Sequence, residues 1–176
     1  MRRFIYVLMA VIIFGIASCS KSMTQYDNEI SLAEMIMRNN TDSALSLLDE
    51  IDPSELEIDS LRAKYHYLKG WGHLSGNRSM VGDSLIGYAH NFYRGKDIVR
   101  NIRSGIVFAW YKFWVGDTPG ALTMLDSLAE LPDIPDSIMV QTVRVRVLLG
   151  ASEYQGRQLV PFAKKLHDLE TDSMRK

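Results

Sequence analysis

From about residue 27 onward, apolar residues recur every three or four positions, and short polar stretches interrupt them at regular intervals. That spacing predicts helices near 27–38, 42–51, 59–74, 83–94, 97–115, 118–131, 136–149 and 157–170. The links between them are short, so chain neighbours are expected to pack antiparallel. Within 97–115, Ile98, Ile102, Ile106, Ala109 and Phe113 align on one face, while Val99, Phe108, Trp110 and Trp114 widen it. A helix so patterned is expected to be covered on more than one side. Residues 143–147, Val-Arg-Val-Arg-Val, run against the trend, because they alternate with period two and are β-branched, as strands are. Met139, Val143, Val147 and Gly150 still stack at helical spacing and no partner strand is visible, so helix is the expectation there too.

The polar interruptions repeat a phrase. Asp followed by Ser or Thr occurs at 42–43, 59–60, 83–84, 117–118, 126–127, 136–137 and 172–173. An Asp side chain accepts from the free N–H groups of a first helical turn, so most of these pairs read as N-caps; the pair at 126–127 falls inside a helix. A longer phrase, Asp-Ser-Ala-Leu-Ser-Leu-Leu-Asp at 42–49, nearly returns at 117–126. Aligning Ala44, Ser84 and Ala121 gives spacings of 40 and 37 residues. Periods of this size signal stacked helical hairpins, each burying its apolar face on the next.

The N-terminus has a different pattern. Arg2 and Arg3 precede an uncharged apolar run of 14 residues, Phe4 to Ala17. The run is shorter than the ~20 residues that cross a bilayer and suits a secretory signal. It ends in Ile16-Ala17-Ser18-Cys19, which resembles the lipobox of bacterial lipoproteins. That resemblance implies a signal peptide over 1–18, cleavage before Cys19 and acylation of Cys19. A lipidated polar tether would follow over 19–26, then a helical domain over 27–176. Several acyl chains anchor a protein stably without spanning the membrane.

Composition narrows the function classes. With 20 basic and 21 acidic residues in 176, no basic excess exists to drive nucleic-acid binding. Cys19 is the sole cysteine, so neither an internal disulfide nor a multi-cysteine zinc site can form within one chain. His66 and His73 share a helix face two turns apart, without the i, i+4 spacing or intervening carboxylate of a metal pair. His90 and His167 lack even that context. No nucleophile elbow or glycine-rich phosphate loop is present, so no catalytic residue, metal or cofactor is expected. The aromatics of 108–114 are expected chiefly as packing between helices, with Tyr111 and Trp114 as candidate groove or stacking residues because they lie off the main stripe.

Residues 105–132 resemble a tetratricopeptide repeat. Ala109 takes the small position of the first helix, Gly116-Asp117 the turn, Ala121 the small position of the second helix and Pro132 the close, with Lys112 where the repeat usually carries Tyr. Together with the lipobox, the phrases at 41–53, 59–65 and 83–89 are similar to tetratricopeptide-type lipoproteins of Bacteroidales. The resemblance implies an all-α, TPR-like right-handed solenoid of antiparallel helix pairs. Several Asp-Ser pairs also resemble the O-glycosylation motif of exported Bacteroidetes proteins, making Ser43, Ser60, Ser84 and Ser137 candidate acceptors. The function expected is a lipid-anchored scaffold in the cell envelope that holds a protein or peptide partner. Ser20-Lys21-Ser22 lacks an acidic run, which favours a periplasm-facing position on the outer membrane over a surface one. Glycan or small-ligand capture in an uptake system, and the sensing part of a regulatory system, are the alternatives.

Overall fold

A computed structural model describes residues 21–153 and 160–175 of the chain. The anticipated signal peptide and Cys19 lie outside them. The described residues form eight α-helices: α1 (Met23–Ile36), α2 (Thr41–Asp49), α3 (Asp59–Ser75), α4 (Ile86–Tyr93), α5 (Ile98–Trp114), α6 (Thr118–Ala129), α7 (Asp136–Glu153) and α8 (Val160–Arg175), with a 3₁₀ turn at Pro53–Glu55. No strand occurs among them. Residues 143–147 are helical within α7, because Thr142, Val143, Arg146 and Leu149 are all buried and only a helix turns that set to one side.

The helix ends follow capping chemistry, but not always at the residues the sequence points to. Asp117 accepts from Gly120 N–H (3.0 Å) as expected. At α2 the cap is Asn40, whose Oδ1 accepts from Ser43 N–H (3.0 Å), and Asp42 sits inside the first turn. Asp59 and Asp136 are likewise first-turn residues, where a carboxylate meets the positive end of the helix dipole. Asp83 caps nothing. Its Oδ2 lies 2.7 Å from His73 Nδ1, the fully buried Met80 pins the preceding link, and α4 starts only at Ile86. The fourth helical residue is Ala44 in α2, Ala89 in α4 and Ala121 in α6, all fully buried. Ala89, not Ser84, is therefore the middle counterpart of the repeated phrase.

The α5–α6 turn is built from two consecutive residues. Gly116 adopts φ +86°, which lets Asp117 N–H reach Lys112 O (2.8 Å) and Gly116 N–H reach Phe113 O (3.0 Å), closing α5 in a Schellman motif. Asp117 then opens α6.

Helices α1, α3, α5 and α7 touch in that order, while α2, α4 and α6 each pack between the two odd-numbered helices that flank them. Helix α8 packs on α7. Two apolar clusters result. The first joins α1 to α5 and includes Tyr26, Ile30, Leu48, Leu56, Ile86 and Val107. The second joins α5 to α7 through Ile102, Ile106, Ala109, Leu122, Leu125 and Leu149. Helix α5 belongs to both, with opposite faces, as its sequence pattern requires.

Candidate functional site

The same face of every odd-numbered helix opens into one groove of about 670 Å³. Helix α1 contributes Glu34, and the turn that follows it contributes Met37 and Arg38. Helix α3 contributes Tyr67, Leu68, Trp71 and Ser75, again one helical stripe. Arg103 comes from α5, and Ser137, Ile138 and Gln141 from the start of α7. Thr41, at the start of α2, completes the lining, so residues from five helices make the wall.

Its charges are unevenly satisfied. Glu34 is held by Lys64 Nζ at 2.8 Å and faces Arg100 Nη2 at 3.5 Å. Arg38 is exposed and Arg103 half-buried, and among the described residues neither has a carboxylate within ion-pair reach. Tyr67 is buried on the groove floor, and burial pushes its hydroxyl up to about 12 although Arg103 pulls the other way. It therefore remains a neutral hydroxyl at any physiological pH. Trp71 is half-buried beside it. The groove thus offers two guanidinium groups, a phenol and an indole edge on an apolar base, a set suited to binding.

The residues singled out by sequence are dispersed. Tyr111 is half-buried, stacks on Phe108 of the same helix with ring centroids 6.0 Å apart at 21°, and packs against the first apolar cluster. Trp114 closes α5 and is 43% exposed, away from the groove lining. Ser43, Ser60 and Ser84 are exposed at or near the starts of α2, α3 and α4. Ser137, also exposed, lies on the groove rim. Cys19 lies outside the described residues.

The histidines are structural in their contacts. His66 packs edge-on against Tyr65 and Tyr88, and burial lowers its basicity. His90 is buried with Nδ1 3.2 Å from Asn101 O, so that nitrogen carries the proton and donates to the carbonyl; burial lowers its basicity as well. Among the described residues no three His, Cys, Asp or Glu side chains come together as a metal would require. No helix there is long and apolar enough to cross a membrane.

Sequence reasoning missed Arg38, Tyr67, Trp71 and Arg103 as a set. The signal available was that all four lie on the first helix of a predicted pair. Their convergence depends on which face each of those helices turns inward, and that is fixed by packing. No family model matches the chain, and no curated protein or solved structure matches it significantly.

Proposed function

We propose that the chain is an envelope lipoprotein, anchored through Cys19, whose paired helices form a TPR-like right-handed solenoid that holds a protein or peptide segment without catalysis. The observation that carries this reading is the groove itself: one continuous lining drawn from α1, α2, α3, α5 and α7. Stacked hairpins present this kind of extended concave surface, and an extended segment laid across it touches each repeat in turn. Most polar groups of the groove, Arg38, Ser75, Arg103, Ser137 and Gln141 among them, belong to exposed or half-buried side chains, whereas Tyr67 is a core residue whose buried ring fixes the floor. The signal-like N-terminus and lipobox support the envelope location, and several acyl chains would keep the domain at a membrane.

Crosslinking the tagged full-length protein in cells, followed by purification and mass spectrometry, tests the reading. One dominant partner that disappears with Trp71→Ala but persists with Trp114→Ala is the expected result. Absence of any specific protein, in cells where Cys19 is shown to be acylated, would move the function to glycan or small-ligand capture.

A further inference from the structure

The groove's charge identifies the chemistry of what it holds. The whole chain is nearly neutral, at −1. The groove is not: its lone carboxylate, Glu34, already answers to Lys64 and Arg100, so Arg38 and Arg103 stand as uncompensated cations among the described residues. Arg38 lies in the turn after α1 and Arg103 on α5, and α3, which carries Tyr67 and Trp71, packs between those two helices. Guanidinium groups match carboxylates in shape as well as charge and hold them through paired hydrogen bonds. Tyr67 and Trp71 also make no hydrogen bond within the described residues, leaving an O–H and an N–H to donate.

Size points the same way. Packed helices lie about 8–10 Å apart, so a path from α1 to α7 is roughly 25–30 Å long. An extended chain advances about 3.3 Å per residue, so roughly eight residues span it.

We propose that the groove takes an acidic peptide segment in extended conformation, with carboxylates on Arg38 and Arg103 and an apolar side chain against Trp71. This rests on the peptide-scaffold reading above and adds the sign of the partner's charge. Like-charged or lysine-rich segments are disfavoured, because two guanidinium groups would face them with no protein carboxylate free to compensate.

The test uses the full-length protein in detergent and three fluorescent nonapeptides: alternating Glu and Leu with a central Phe, and the same peptide with Gln or with Lys in place of Glu. Fluorescence anisotropy should rank Glu above Gln by about tenfold or more, with Lys weakest, and added salt should shrink the gap. The double substitution Arg38→Gln with Arg103→Gln should abolish the preference, Arg38→Lys with Arg103→Lys should restore part of it, and Trp71→Ala should weaken the Glu and Gln peptides alike. Circular dichroism checks that each variant is folded, which the exposed and half-buried positions of the two arginines favour. Equal binding of all three peptides would overturn the acidic preference while leaving a peptide groove. Preference retained in the double variant would also overturn it. Failure of every peptide to bind, with Trp fluorescence quenched by an oligosaccharide, would overturn the scaffold reading as well.

Discussion

At the scale of single residues, the close approach of helices rests on hydrogen atoms in place of side chains. A Cβ added at Gly72 would stand 2.6 Å from Leu45 Cδ2 and 2.9 Å from its Cγ, and Leu45 is itself buried with little room to retreat. Helix propensity favours alanine over glycine by about 1 kcal/mol, whereas overpacking costs about 1–3 kcal/mol. The second effect wins, so Gly72→Ala should lower the chemical-denaturation midpoint. Gly82→Ala is the control, since a Cβ there meets nothing within 4 Å, and its effect should stay within about 0.5 kcal/mol. Asp117 makes a pH-dependent contribution. A hydrogen bond from Lys112 Nζ (2.7 Å), and then the Gly120 N–H, hold its carboxyl below the ordinary value of 3.8. Its ionised form is thus favoured by folding, so the stabilisation is complete above the unfolded value and fades as pH falls through the lower folded one. The stability difference between wild type and Asp117→Asn should therefore be constant above about pH 5 and close in stronger acid. A gap that persisted in strong acid would mean that the Lys112 pair contributes nothing to it.

At the scale of elements, α7 shows how a locally strand-like sequence is made helical. Arg146 is buried, and it donates to both carboxylate oxygens of Asp126 in α6, at 2.7 and 3.3 Å. The guanidinium reaches α6 only if residues 142–149 wind as a helix, so the tertiary partner overrides the β-branched valines. Asp126→Ala removes half of that bidentate pair and should cost about 2 kcal/mol in equilibrium unfolding. Arg146→Met should cost less, because an apolar chain of similar length needs no partner once buried. Equal losses for the two would place the stabilisation in packing alone. Among the described residues, the number and approximate limits of the helices were legible because each apolar stripe is long and periodic. Their starts were less so: an aspartate before an apolar run can cap, occupy the first turn or bind elsewhere. Asp117, Asp42 and Asp83 do these three things in turn. Which one occurs depends on neighbours such as Asn40 and His73 that local pattern does not weigh.

At the scale of the whole molecule, the groove was illegible for a related reason. Periodicity tells which residues of a helix are apolar, but Arg38, Trp71 and Arg103 become one surface only when α1, α3 and α5 line up in a row. The row has a kinetic consequence. Each helix touches near neighbours in the chain, so contacts are local and loop closure costs little, which favours fast folding. Local contacts also let opening begin at an end without disturbing the middle. Helix α5 touches α3, α4, α6 and α7 and feeds both apolar clusters, whereas α8 rests on α7. Native-state amide exchange should therefore be slowest at α5 and should quicken outward, with α8 first to lose protection. Uniform protection across all the helices would mean that the two clusters melt as one. With a gradient, the protein would be a row of latches around a shared hinge pin, able to release its last helix while the groove keeps its shape.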